Sequence, residues 1–125
     1  MNKILSLICI TISAIAILTG CSSSMTMEEY VQKNQKRFDE MLESTSEEVG
    51  FTIAVEDNTF YFRSQYLFEI TDYAIIEQSL EESTDKQVME NFITDLLAEG
   101  VQDPVVILEH LDKDGEIITS FTFTP

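Results

Sequence analysis

The 125-residue chain has no tryptophan, one histidine, two cysteines, four glycines and two prolines. With so few of these residues it contains neither the cysteine pairs of a zinc site nor the His-Glu-x-x-His pattern of a metalloprotease. A glycine-rich phosphate loop, which needs closely spaced glycines, is also absent from the sequence. The motifs that usually identify an enzyme are therefore missing, and we expect no catalytic residue, no metal and no cofactor.

Basic residues are also scarce, since 7 Lys and Arg are set against 23 Asp and Glu. The resulting net charge of −16 disfavours nucleic acid as a partner and repels an anionic membrane surface. The charge could serve to bind cations, to bind basic peptides or simply to keep the protein soluble. If it serves solubility, we expect a monomer with an acidic, solvated surface.

The N-terminal residues have the order of a secretory signal. Met1-Asn2-Lys3 is a short basic start, an apolar stretch runs from Ile4 to Leu18, and small residues precede Cys21. A single-pass anchor is the alternative, but about 15 apolar residues are fewer than the roughly 20 needed to span a bilayer. We therefore expect residues 1–20 to be a signal peptide that is removed.

Leu18-Thr19-Gly20-Cys21 resembles the lipobox of bacterial lipoproteins. The resemblance implies that the Cys21 thiol carries a diacylglyceryl group and that the chain is cut just before this residue. Two acyl chains hold a protein stably on a membrane, so the expected location is the extracytoplasmic face of the cell membrane. Cys9 leaves with the signal, so no disulfide is expected. Loss of Lys3 leaves six basic and 23 acidic residues, a net charge of −17.

Residues 21–25 form the lipidated cysteine and a short serine tether, and residues 26–125 are long enough for a single domain with one core. Thr26, with Glu29 three positions later, is a capping box that predicts a helix start. Apolar residues then recur at helical spacing to about Glu43. The predicted buried face of this first helix comprises Tyr30, Val31, Phe38, Met41 and Leu42.

Two strands are predicted after the first helix. Phe51, Ile53 and Val55 alternate with smaller or polar residues, and an aromatic run extends from Thr59 to about Leu67. Asp57-Asn58 between them suits a two-residue hairpin turn, since both residues tolerate positive φ. This turn pairs Val55 with Phe60 and Ile53 with Phe62.

A second, long helix is predicted from Thr71 or Asp72 to Ala98, with Gly100 as its C-terminal stop. Its weakest point is Ser83-Thr84, because Thr84 and Gln87 can form a new capping box. We favour one continuous helix over a broken one. Its predicted buried side comprises Ile76, Leu80, Val88, Met89, Phe92, Ile93, Leu96 and Leu97.

The chain closes with a hairpin made of Val105 to Leu111 and Glu116 to Thr124. A three-residue loop with Gly115 in the left-handed region pairs Leu111 with Ile117, Ile107 with Phe121 and Val105 with Phe123. Glu109 is the one polar exception among these core positions. The order α-β-β-α-β-β predicts an α+β domain with a four-stranded antiparallel sheet and two helices packed on one face.

These registers place a mixed apolar, aromatic and polar group of residues on the sheet face opposite the helices. The group includes Tyr61, Arg63, Leu108, His110 and Ile118. Tyr and Arg are common anchors of protein interfaces, so we predict a face that binds a protein or a basic peptide. The alternatives are a sheet face that is merely solvated, and a small enzyme inhibitor or hydrolase that uses this face.

Four features together resemble a family of small lipoproteins, mostly from Firmicutes, that is known as a domain of unknown function. They are the lipobox, Thr26-Met27-Glu28-Glu29-Tyr30-Val31 at the start of the first helix, the long acidic second helix, and the closing hairpin around Leu111-Asp112-Lys113-Asp114-Gly115-Glu116. The likeness covers nearly the whole mature chain. It supports the fold and implies no activity for any residue except Cys21.

Lipid attachment is tested by metabolic labelling of cells with an alkyne-tagged fatty acid. We expect the native chain to be labelled and Cys21→Ala to carry no label, because the acyl groups require the Cys21 thiol. Cys9→Ala is the matched control and should be labelled like the native chain. Equal labelling of Cys21→Ala and the native chain would contradict the lipoprotein prediction.

Overall fold

The computed structural model describes residues 24–43 and 46–125, so the predicted signal peptide, Cys21 and most of the serine tether lie outside the described residues. The described chain forms four helical segments and four strands, which confirms the α+β class. In chain order they are α1 (Met27–Lys33), α2 (Gln35–Glu43), β1 (Val49–Glu56), β2 (Thr59–Tyr66), α3 (Tyr73–Ser83), α4 (Lys86–Ala98), β3 (Val105–Leu111) and β4 (Ile117–Phe123). No helix in these two ranges is long and apolar enough to cross a membrane.

The sheet is mixed, with strand order β1-β2-β3-β4. β1 with β2 and β3 with β4 are antiparallel hairpins, whereas β2 and β3 are parallel neighbours. The prediction of a fully antiparallel sheet is therefore wrong. The reason is the connection through α3 and α4, which returns the chain to the end of the sheet where β2 began and so brings β3 in parallel.

The first hairpin has the predicted register, with Val55 opposite Phe60 and Ile53 opposite Phe62. Asp57 and Asn58 have φ values of 50° and 60°, the positive values that a type I′ turn requires at both central positions. The turn chemistry of these two residues therefore sets the pairing of the whole hairpin.

The second hairpin has the predicted pairing only near its turn. Leu111 pairs with Ile117, but the register then shifts at a bulge, and Leu108 pairs with Phe121 while Val106 pairs with Phe123. The predicted pairs Ile107 with Phe121 and Val105 with Phe123 are wrong. A shift of one residue moves β3 side chains to the other face of the sheet. It buries Val106 completely and removes the Glu109 carboxylate from the core.

The first predicted helix is divided at Asn34 into α1 and α2. The Asn34 side-chain amide donates to the Tyr30 carbonyl at 2.9 Å, and the Asn34 backbone N–H donates to the same oxygen at 3.1 Å. Such local side-chain bonding to the backbone competes with regular helix geometry. The ladder resumes when Phe38 donates to the Asn34 carbonyl, so the two segments follow each other with little interruption.

The second predicted helix is broken, so the preference for a continuous helix was wrong. The break lies at the predicted weak point, since α3 ends at Ser83 and Thr84 is its C-cap. Asp85, and not Thr84, caps α4 by accepting from the backbone N–H groups of Gln87 and Val88 at 3.0 and 3.2 Å. Two otherwise unpaired N–H groups are thereby satisfied, which stabilises a new helix start.

The other predicted helix ends are confirmed. Thr26 accepts from the Glu29 N–H at 3.1 Å, and Asp72 accepts from the Ile75 N–H at 3.2 Å. Gly100 adopts a φ of 96°, and Val101 donates to the Leu96 carbonyl at 3.0 Å, which is a Schellman motif.

Three rows of side chains cross the face of the sheet that packs on the helices. Val55, Phe60, Val106 and Phe123 form the first row, Ile53, Phe62, Leu108 and Phe121 the second, and Phe51, Ser64, His110 and Thr119 the third. The first row packs in a core with residues of α1, α2 and α4, among them Met27, Tyr30, Phe38, Ile93 and Leu96. α3 contributes no buried residue to that core.

Asn58 joins the first hairpin to two other parts of the chain. Its Oδ1 accepts from the Met27 N–H at 2.8 Å, and its Nδ2 donates to the Gln102 carbonyl at 3.4 Å. The turn, the start of α1 and the loop before β3 are therefore held together by one side chain.

Asn58→Gly tests the two Asn58 side-chain hydrogen bonds, here called the Asn58 clamp, separately from the turn. Glycine keeps the positive φ that the turn requires but has no side-chain amide. We expect a loss of about 1–3 kcal/mol in the free energy of unfolding, since the Met27 N–H loses its partner. Asp57→Gly is the matched control at the other positive-φ position and should cost less than about 1 kcal/mol. Urea unfolding measures both variants, and equal losses would show that Asn58 acts only through its backbone conformation.

Candidate functional site

The sheet face opposite the core carries two rows of side chains at its centre, which we call the open face. Ala54, Tyr61, Ile107 and Thr122 form one row, and Thr52, Arg63, Glu109 and Ser120 form the other. Strand alternation assigns them to this side because their neighbours along each strand point to the core. Apart from Ser120 and Thr122, which are exposed, these residues are half-buried.

Arg63 is the charged centre of the open face. Its Nε lies 3.1 Å from Glu109 Oε1, a second nitrogen lies 3.9 Å from Glu56 Oε2, and its Cζ lies 4.8 Å from the centroid of the Tyr61 ring. The Arg63 and Glu109 side chains are 28% and 12% exposed, so the pair is largely removed from water. The Glu109 carboxylate neutralises the guanidinium beside an aromatic ring, and this arrangement suits contact with another protein surface.

Only part of the predicted binding face is brought together. Tyr61 and Arg63 lie on the open face, whereas Ile118 is the residue of β4 that the pairing with β3 skips at the bulge. Leu108 and His110 lie on the helix-covered side, because the bulge in the second hairpin reverses the orientation of β3. The sequence reasoning missed Ile107 and Glu109. Glu109 could have revealed the error for both residues, because the predicted register placed its carboxylate in the core.

A cavity of about 410 Å³ lies on the helix-covered side, between α2, α4 and the sheet. Its interior is lined by aromatic and aliphatic side chains, namely Phe38, Phe60, Phe62, Met89, Phe92 and Leu108. Exposed residues of the two helices border its mouth: Arg37 and Met41 on α2, and Val88, Asn91 and Asp95 on α4. Met41 and Val88, predicted to be buried, are 42% and 57% exposed at this mouth.

Ser64 and His110 are polar residues that also line this cavity. The Tyr66 hydroxyl and His110 Nδ1 are 2.9 Å apart, and the two rings stack with centroids 5.8 Å apart. His110 Nε2 is buried without a hydrogen-bond partner among the described residues. Burial lowers the pKa of His110 below its usual value, so the imidazole is neutral at physiological pH.

A second, shallower depression of about 430 Å³ is lined by Ser24, Leu97 and residues 100–103. It lies where the chain enters the domain and is wide open to solvent. Within the described ranges, no group of three or more His, Cys, Asp or Glu residues is placed to hold a metal ion. Comparison of the chain with protein-family models, curated proteins and solved structures found no match.

The buried imidazole predicts a specific dependence of stability on pH. An unfolded histidine takes up a proton near pH 6.5, whereas the folded His110 resists protonation, so the free energy of unfolding should fall as the pH drops below about 6.5. Because His110 is the only histidine, His110→Gln should remove this fall between pH 7 and about pH 5. Urea unfolding across this range measures the effect. Parallel curves for the two proteins would contradict it.

Proposed function

We propose that the protein is a lipid-anchored, extracytoplasmic, non-enzymatic binding module that holds a protein partner on its open face. The single observation that carries this proposal is the centre of that face, where Tyr61 lies against an arginine already neutralised by Glu109. A partner that covers this pair meets a half-buried aromatic surface without leaving an unpaired charge in the interface.

The apolar neighbours of Tyr61 favour a protein-binding function for the open face rather than a face that is merely solvated. Tyr61 pairs directly with Ile107 on β3, and Ala54 lies on its other side on β1. A centre of this composition, bordered by the polar residues Thr52, Ser120 and Thr122, has the arrangement of an interface core with a polar rim. The acidic chain, with a predicted mature charge of −17, favours a partner with a basic surface.

The lipid anchor at Cys21 supports a location close to the membrane surface. Only Ser22 and Ser23 separate Cys21 from Ser24, the first described residue, so the domain would be held near its anchor. The alternative of a hydrolase that combines Tyr61, Arg63 and His110 receives no support from the geometry. These residues lie on opposite sides of the sheet and share no cavity. An inhibitor of an extracytoplasmic enzyme would be one form of the proposed protein binding.

The proposal is tested by photocrosslinking in cells, with a photoreactive phenylalanine analogue in place of Ile107 in the full lipidated chain. We expect capture of a defined protein, and expect Tyr61→Ala to weaken its binding at least about 30-fold, as removal of a hot-spot residue costs roughly 2 kcal/mol or more.

Tyr73→Ala is the matched control, since Tyr73 is 49% exposed and lies on α3, outside the sheet. It should leave capture unchanged. If native, Tyr61→Ala and Tyr73→Ala chains all capture the same proteins, or if none is captured, the open face is a solvated surface and the proposal is wrong. Unfolding curves of each variant show whether any loss of capture reflects loss of the fold.

A further inference from the structure

β4 forms one edge of the sheet, because the strand order ends with it. Its backbone pairs with β3 on one side, and no further backbone hydrogen bond to residues 117–124 is found in the part of the chain that the structure describes. Unlike the other three strands, β4 has no buried residue. Such an edge presents a row of unpaired N–H and C=O groups that can pair with an added strand.

β4 lacks the features that usually protect a sheet edge from pairing, which are charged side chains, proline and short length. Ile117–Phe123 contains no charged residue and no proline, and every residue except Ser120 is β-branched or aromatic. Its pairing with β3 is regular from Thr119 to Phe123, beyond the bulge. The other edge strand, β1, contains Gly50 and ends at the charged residue Glu56. β4 is therefore the edge better suited to an added strand.

The two sides of β4 differ, and together they select an alternating pattern in an added strand. On the helix-covered side Phe121 and Phe123 are only half-buried, whereas Val106, the partner of Phe123, is fully buried. Apolar side chains of an added strand would extend these rows and cover the two rings. On the open side Ser120 and Thr122 are exposed, so side chains next to them stay in water. The edge fits an extended segment in which apolar and polar residues alternate.

The charges near β4 favour a basic segment. α3 packs beside β4, and its carboxylates Glu77, Glu81 and Glu82 are all exposed. This helix contains no basic residue. The loop that leads into β4 is also acidic, since residues 112–116 contain three carboxylates and one lysine. Lysine or arginine side chains at this edge are attracted by these carboxylates, whereas an acidic segment is repelled.

A second copy of the chain fits this edge poorly. Phe123 pairs with Val106, so the end of β4 lies beside the start of β3, where Met25 brings the chain into the domain. Antiparallel pairing of two β4 strands would turn these entry points to opposite ends of the joined sheet. If Cys21 carries the lipid, the short serine tether could not reach one membrane from both copies. The net charges of two such acidic chains also repel each other.

We propose that β4 binds an extended segment of another protein by strand addition, and that this segment alternates apolar residues with lysine or arginine. Main-chain hydrogen bonds supply the affinity of such a contact, and the alternate side chains supply its specificity. The site is separate from the Tyr61 centre of the open face and depends on none of the contacts that carry the proposed function.

The test titrates a capped peptide of alternating lysine and valine into the full lipidated chain, held in nanodiscs of zwitterionic phosphatidylcholine. Amide hydrogen exchange, followed by NMR, is the readout. We expect slower exchange at alternate residues between Thr119 and Phe123, because their N–H groups gain partners, and no change in β1. A peptide of alternating glutamate and valine should bind at least about tenfold more weakly.

Two N-methylated forms of the lysine-valine peptide separate strand addition from simple charge attraction. A strand pairs with one neighbour through the N–H groups of alternate residues. Methylation of one alternate set should therefore abolish binding, whereas methylation of the other set should leave it. Both forms keep every side chain and every charge of the parent peptide.

Thr122→Lys places a positive charge beside the lysines of the added strand and should weaken binding at least about threefold. Thr94→Lys is the matched control, since it makes the same change at an exposed threonine of α4, and should bind like the native chain. Tyr61→Ala should also bind the peptide like the native chain. Failure of this proposal is therefore distinguishable from failure of the open-face proposal.

The proposal is overturned if the peptide slows no exchange in β4, if both N-methylated forms bind like the parent, or if the glutamate peptide binds equally well. Equal binding by Thr122→Lys and Thr94→Lys would also contradict it. Slow exchange in β4 that follows protein concentration without peptide would overturn it too, since a second copy would then occupy the edge.

Discussion

Contact among four aromatic rings determines how the layers of this domain are arranged. Phe60 on β2 lies 5.5 Å from Phe38 on α2 and 5.2 Å from Phe92 on α4, and Tyr30 on α1 lies 6.2 and 6.0 Å from the same two rings. The cluster therefore joins three helices to one strand of the sheet, and tilted or edge-on pairs of this kind add stability beyond their buried area. Because α2 and α4 contact Phe60 directly and α1 contacts their two rings, all three helices lie on one side of the sheet. The other side is left open, and the space between α2 and α4 beyond the rings becomes the cavity.

Local chemistry made part of this fold predictable from the sequence. Asp57 and Asn58 both tolerate the positive φ that a type I′ turn requires, so this turn and the register of the first hairpin were predicted correctly. The helix start was narrowed to Thr71 or Asp72, of which Asp72 is the N-cap, and the stop at Gly100 was predicted correctly, because one side chain or one glycine decides each end. The parallel pairing of β2 with β3 was not predicted, since it depends on where a 38-residue connection returns and no local pattern encodes that position.

The candidate site was only half predictable for a related reason. The loop at Asp112 and Gly115 forms as expected, with Gly115 at a φ of 83° and Asp112 accepting from the Glu116 N–H at 2.9 Å. These contacts are complete whether or not a bulge follows, so turn chemistry alone does not choose between the two registers. Contacts between residues far apart in the sequence decide the register of the second hairpin. The bulge lets Val106 pack beside Phe60 and lets Glu109 reach Arg63, and both partners come from β2, a strand whose position beside β3 was unknown. A shift of one residue in the register therefore puts His110 on the opposite side of the sheet from Tyr61.

The same parallel pairing orients both candidate surfaces relative to the point where the chain enters the domain. Met25 bridges Val101 and donates to the Gly100 carbonyl at 2.9 Å, so the N-terminal segment is fixed beside the start of β3. The Asn58 clamp on Met27 lies at the same end of the sheet. His110 lies five residues further along β3 than Val105, about 17 Å away at roughly 3.3 Å per residue. If Cys21 carries the lipid, the Phe60 end of the domain is therefore nearest the membrane and the imidazole of His110 is far from it. The cavity opens between α2 and α4, where Met41 and Val88 are exposed at its mouth.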